Sequence, residues 1–228
     1  MVEIVCESEY PFRGAVSITV NTDKPARFPI LLRIPGWAEG ATVRVGTAAA
    51  MSARAGAFHR VEREWNGSTT IALHLPMKPK MTVRYNKNVS IERGPLVYSL
   101  RIGETWTRVN AETPHRELPH GDWEVRPATP WNYGIVVAKN APVGLTFEEK
   151  PIGAIPFSPE GAGVVATVQA RRVLSWGLSR GWASEISSSD AEWADTSKVL
   201  SNEPIETVEL IPYGCTNIRV TEFPRVRV

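Results

Sequence analysis

Apolar and polar residues alternate in steps of two along the first third of the chain, the period of a half-buried β-strand. In residues 15–20, Val16, Ile18 and Val20 share one face. In residues 30–34, Ile30, Leu32 and Ile34 alternate with Leu31 and Arg33, and Pro35-Gly36 stops the run. Val43 and Val45 point away from Thr42 and Arg44. His59, Val61, Arg63 and Trp65 oppose Arg60, Glu62 and Glu64, and Asn66-Gly67 reads as the turn that ends that strand. Ile71, Leu73 and Leu75 define another face, and residues 82–85 a further short strand.

At residues 89–100, VSIERGPLVYSL, two apolar pieces flank a charged break, Glu92-Arg93-Gly94-Pro95. Beyond it, strands are predicted over residues 96–102, 131–137, 145–148, 164–170, 173–176, 206–211 and 217–221. Residues 109–130 are polar and rich in proline and histidine, and read as a loop. The best helical candidate, residues 183–198, contains Ser187-Ser188-Ser189 and lacks an apolar stripe, so it reads mainly as loop. Short, evenly spaced strands with turn residues between them predict an all-β protein of β-sandwich or jelly-roll type, with a domain boundary near residues 90–105.

Composition narrows the function classes. The 228 residues allow one large domain or two ordinary ones. A net charge of +2, without a basic run interleaved with aromatics, predicts neither nucleic acid nor an anionic membrane as partner. The start, MVEIVCESEYPFRG, has no basic segment followed by an apolar one, so no signal peptide is predicted and a soluble, cytoplasmic protein is expected. Cys6 and Cys215 stand near opposite ends and read as free thiols. His115 and His120 share a proline-containing loop and read as exposed, so no metal site is expected. Asn66 and Asn88 match the glycosylation pattern, which means little without export.

Four pieces, in order, resemble the bacterial glycoside hydrolase family typified by β-L-arabinofuranosidase (family 127). They are Arg33-Ile34-Pro35-Gly36-Trp37; Arg63-Glu64-Trp65 with Leu75-Pro76-Met77; Glu92-Arg93-Gly94-Pro95-Leu96-Val97-Tyr98; and Leu210-Ile211-Pro212-Tyr213-Gly214-Cys215-Thr216-Asn217 with Thr221-Glu222-Phe223-Pro224. The turns at Gly46-Thr47 and Asn66-Gly67-Ser68 depart from the family pattern. The resemblance implies two β-sandwich domains, the second inserted before the last strands of the first. Residues 1–92 with 205–228 would form the first domain, and residues 93–204 the second. Glu92, Arg93, Gly94 and Pro95 would then be a hinge at the interdomain seam. The family's catalysis and its cysteine-bound zinc belong to an upstream (α/α) helical barrel. This sequence shows neither that barrel nor a cysteine cluster, so no cofactor and no catalytic residue are expected, and Cys215 is not assigned a nucleophile's role.

The resulting expectation is a non-catalytic accessory β-region. Its partner would be a catalytic barrel, in the parent protein or on a separate chain. A face shaped beside such a partner predicts a homo-oligomer or a sticky isolated fragment. The alternative is a carbohydrate-binding module, because eight tryptophans are many for this length and an indole covers the apolar face of a sugar. Trp131, Tyr133, Trp176, Trp182 and Trp193 are its candidates, for a plant-type carbohydrate. An independent glycosidase needs two facing carboxyl groups. Glu148, Glu149, Glu185, Asp190, Glu192 and Asp195 offer side chains, but nothing in the sequence fixes a pair.

Overall fold

The computed structural model describes residues 1–185 and 200–228. Within them the protein is all-β, with two short 3-10 turns, Tyr85–Lys87 and Tyr213–Cys215, and no α-helix. It divides into two compact units, residues 1–80 with 93–96, and residues 81–92 with 97–228.

The first unit is one five-stranded sheet. Its strands are β1 (Val2–Ser8), β2 (Ala15–Ile34), β3 (Thr42–Val45), β4 (Met51–Ser52) and β5 (Ala57–His74), in the order β1-β2-β5-β3-β4. One expected turn is absent. β2 and β5 are single long strands paired antiparallel almost end to end, and Asn66-Gly67 lies inside β5. The ladder slips between the pairs Thr22↔Gly67 and Ala26↔Trp65, leaving Asp23, Lys24 and Pro25 opposite Asn66. Such a bulge bends both strands and accepts a proline, which has no N–H to give the ladder. Because three residues are inserted between Thr22 and Ala26, even-numbered residues of β2 stay inward on both sides of the bulge. Val20, Leu32 and Ile34 are buried, whereas Leu31 and Arg33 are exposed.

The sheet curls at this bend, so residues from both halves enter one core: Val20 and Ile71 from one side, Leu32, Ile34 and Val61 from the other. Trp65 sits beside the bulge, fully buried. Its indole N–H donates to the Phe28 carbonyl at 2.9 Å, and its ring stacks on Phe28. Trp37 is half-buried against the same core.

The second unit contains β6 (Pro79–Val83), β7 (Val89–Arg93), β8 (Leu96–Leu100), β9 (Glu104–Val109), β10 (Asp122–Pro127), β11 (Tyr133–Ala138), β12 (Ala141–Pro142), β13 (Thr146–Glu149), β14 (Val164–Arg172), β15 (Leu178–Ser179), β16 (Trp182–Ala183), β17 (Ile205–Pro212) and β18 (Arg225–Val226). The main sheet runs β12-β11-β14-β17-β8-β7-β6, with β13 also on β14 and β18 on β11. Ile135, Val136 and Val137 are consecutive and all buried, as are Val164, Val165 and Ala166, so these strands are covered on both faces.

Two expectations fail here. β17 was placed with the first domain, but it pairs with β14 from Ala166↔Leu210 to Arg171↔Ile205 and with β8 at Leu210↔Leu100, and residues 205–228 belong to the second unit. The physical reason is side-chain parity: Val208 and Leu210 join Val168 and Ala166 in one buried ladder. Glu92-Arg93-Gly94-Pro95 joins β7 to β8, neighbours in one sheet, as a hairpin turn with Gly94 in the left-handed region at φ 58°, and Arg93–Leu96 group with the first unit while their flanks group with the second. Second, the polar stretch read as a loop contains β10, which forms a two-stranded ribbon with β9. Smaller differences are that residues 173–176 form a turn closed by the Trp176 amide on the Val173 carbonyl, and that residues 217–221 are not a strand. Most of the helical candidate, together with Trp193, Asp190, Glu192 and Asp195, lies outside the described residues.

Candidate functional site

Of the aromatic candidates, three are structural. Tyr133 and Trp176 are buried, and Trp131 is half-buried edge-to-face on Trp176, with centroids 5.1 Å apart. Trp176 belongs to a core with Val136, Val173 and Val226, and Trp131 packs against it. Asn132 fixes the arrangement. Its amide N–H groups donate to the carbonyls of Val173 (3.0 Å) and Trp176 (2.8 Å), and its oxygen accepts from the Arg172 guanidinium. Burial and a hydrogen bond to Glu206 push the Tyr133 hydroxyl up to about 12. Trp182 lies in the short strand β16.

Among the described residues, the candidate carboxylates are exposed surface groups. Glu148 and Glu149 sit exposed on β13, with Glu148 3.5 Å from Lys150, and Glu185 is exposed. Cys6 is an exposed free thiol. Cys215 is a buried one whose titration burial pushes up to about 11, the reverse of an activated nucleophile. Among the described residues no group of three or more His, Cys, Asp or Glu side chains is placed to hold a metal ion, and His115 and His120 are exposed. No helix among them is long and apolar enough to cross a membrane.

The exposed aromatic surface lies elsewhere, on the β9–β10 ribbon. Trp106 opposes Val125, and Trp123 opposes Arg108. Strand alternation therefore puts Trp106, Arg108, Trp123 and Val125 on one face, with the two tryptophans as diagonal neighbours. Their rings meet edge-to-face, centroids 6.3 Å apart at 69°, and they remain 49% and 46% exposed. The loop joining the strands is tied down at Asp122, which accepts from Asn110 (3.1 Å) and Arg116 (2.9 Å), while Arg108 donates to the Arg116 carbonyl at 2.8 Å.

Glu104 anchors the base of this ribbon. Oε1 accepts from the amides of Asn217 (3.0 Å) and Ile218 (3.1 Å) and from the Thr216 hydroxyl (3.4 Å). Oε2 accepts from the Asn217 side-chain amide (3.0 Å) and the Trp106 indole N–H (3.1 Å). Burial opposes the charge. The hydrogen bonds from the Asn217 side chain, the two amides and the indole outweigh it and hold the carboxyl below its ordinary range. A carboxylate so held is a fixed acceptor, not a proton donor. Beside it opens a recess of about 470 Å³ lined by residues that include Arg101, Glu104, Trp106, Glu160, Thr216 and Asn217. Sequence reasoning missed the site because Thr-Trp-Thr and Asp-Trp-Glu carry no more apolar signal than the surrounding loop; the period-two alternation of polar residues around each tryptophan was the available clue.

This β architecture is found in solved glycoside hydrolases. One, described as a glycoside hydrolase, is 22% identical with a TM-score of 0.60, over 99% of this chain and 32% of its own. A GH127 β-L-arabinofuranosidase from Geobacillus stearothermophilus T6 is 22% identical with a TM-score of 0.55, over 100% of this chain and 31% of its own. A GH127 β-arabinofuranosidase is 15% identical with a TM-score of 0.51, over 98% of this chain and 32% of its own. More narrowly, residues 1–77 match the family described as beta-L-arabinofuranosidase, GH127 middle domain. The first two motif pieces, ending at Met77, fall inside that match. No curated protein matches. The chain matches a part of GH127 arabinofuranosidases and spans about a third of the length of the solved ones.

Proposed function

We propose that this chain is a non-catalytic accessory β-region of a GH127-type glycoside hydrolase, bracing a catalytic domain that lies outside it. The observation that carries the reading is the coverage: a complete all-β match to about a third of each solved relative, with residues 1–77 on the family's middle domain. In this reading the two units are two β-sandwich-like modules. The partner is a helical catalytic barrel, in the same protein or on another chain, and the substrate of the assembly is a β-L-arabinofuranoside.

The reading is supported by the state of Cys215 and Glu104. Cys215 is buried with a raised pKa, and Glu104 is held ionised by five donors. Exposed Val2 and Ile4, which share a face of the edge strand β1, fit a surface that a partner covers, so the isolated chain is expected to self-associate. Assay of the purified chain on a chromogenic β-L-arabinofuranoside tests the proposal. No turnover is expected. Hydrolysis by this chain, lost on an active-site substitution within it, would overturn the accessory reading.

A further inference from the structure

Trp106 on the ribbon is held in place in a way that packing does not require. An indole half in water ordinarily samples several rotamers, and nothing in a core depends on its orientation. Trp106 instead has its N–H committed to Glu104 at 3.1 Å, and Glu104 is itself fixed by two backbone amides. The ring is thereby oriented before any ligand arrives, with 49% of its surface still open. Preorganisation of this kind lowers the ordering cost of binding.

We propose that the Trp106–Trp123 corner and the adjoining recess bind a single neutral sugar unit at a chain end or branch of a polysaccharide. A sugar has apolar C–H faces and a rim of hydroxyls, each both donor and acceptor. The indole faces match the first. The recess supplies the second, with the Arg101 guanidinium, which pairs with Glu209 through one nitrogen, the Glu160 carboxylate and the side-chain oxygen of Asn217. The 69° angle between the rings makes a corner, not a flat platform. A corner holds one ring against one face and the other's edge, whereas consecutive units of a linear chain need coplanar aromatic surfaces. That geometry selects ends and branches. The choice of a saccharide over other neutral ligands rests on the accessory reading above. A proline-rich peptide, which also packs on tryptophan, is the competing occupant that the test must reject.

The full chain is titrated calorimetrically, and run in affinity gels, with branched arabinan, debranched linear arabinan, xylan, cello-oligosaccharides and a proline-rich peptide. Branched arabinan is expected to bind, and more tightly per unit mass than the debranched form. Trp106→Ala and Trp123→Ala are each expected to weaken binding tenfold or more. Trp106→Phe keeps an apolar face but loses the bond to Glu104, and should fall between. Tyr85→Ala, at a 68% exposed aromatic away from the ribbon, should bind as the parent does. Circular dichroism establishes that each variant is folded, and Trp106→Phe keeps the test decisive if an alanine variant is not. Binding of no saccharide, binding of the peptide alone, or undiminished binding in a folded Trp106/Trp123 variant would overturn the proposal. Those results leave the accessory reading standing, because that reading fails only if the chain hydrolyses its substrate.

Discussion

Asn132→Ala tests whether the Trp131–Trp176 cluster is an ordered core held by one amide. The substitution removes three interactions. The Trp176 carbonyl loses a 2.8 Å bond from a 7% exposed side chain. An orphaned buried acceptor costs roughly 1–3 kcal/mol. The Val173 carbonyl loses its 3.0 Å bond but still accepts from the Trp176 amide at 2.9 Å, so its share is smaller, about 0.5 kcal/mol. Arg172 loses a two-point contact at 3.3 and 3.1 Å, and being only half-buried it recovers part of this from water, leaving about 0.5–1 kcal/mol. The sum is about 3 kcal/mol. At roughly 2–4 °C per kcal/mol for a chain of this size, the melting transition of the second unit should fall by about 6–12 °C. Thermal denaturation followed by far-ultraviolet circular dichroism reads the shift. The near-ultraviolet signal of the coupled indoles, 5.1 Å apart, should weaken below the transition. A fall no greater than that of an ordinary surface substitution, about 0.5 kcal/mol, would refute the assignment of Asn132 as the fastener of this core.

Glu104 has its folded-state pKa lowered, so its contribution is present above the unfolded carboxylate value and is lost as pH falls through the folded one. The stability gap between the parent and Glu104→Gln should therefore be constant near neutrality and close as pH drops below the ordinary carboxylate value of 4.5, in urea titrations at stepped pH; a gap that widens on acidification would contradict the sign. Trp65→Ala removes a fully buried ring, its bond to the Phe28 carbonyl and the Arg63 guanidinium packed 5.5 Å over it, and should cost the first unit about 3–5 kcal/mol in chemical denaturation. Gly94→Ala forces a Cβ to within 2.7 Å of the Met77 side chain at a left-handed backbone position, and should destabilise by about 1–2 kcal/mol in chemical denaturation. In a thiol-labelling time course, Cys6 should react at once in the native protein and Cys215 only on unfolding, since burial holds the Cys215 thiol at about 11.

Period-two alternation is a local property, and what it determines was legible. Val61 and Trp65 are buried while Arg60, Glu62 and Glu64 are exposed, as the pattern predicts. Alternation does not say where a strand stops when the backbone continues through a bulge. Asn66-Gly67 has the chemistry of a turn, and only the pairing of Trp65 with Ala26 and of Gly67 with Thr22 makes it a bend within β5. Nor does it identify the partner. β17 has the same alternation whichever sheet receives it, and its place is decided by Val168 and Ala166, forty residues upstream.

Which tryptophans are exposed was illegible for the same reason. A tryptophan's burial depends on whether a second layer lies over its face, and that is a long-range fact. Trp176 gained such a layer from Val136 and Val226, on strands remote in sequence. Trp106 and Trp123 lie on a ribbon of two strands that pairs with no third among the described residues. Two strands alone bury little, so a ribbon of this kind persists only if something else orders it. Here that role falls to Glu104 at its base and Asp122 at its loop, both polar. A ribbon stabilised from its ends by polar anchors keeps its apolar face available, and this separation of anchoring from display is what fits it to present a binding surface.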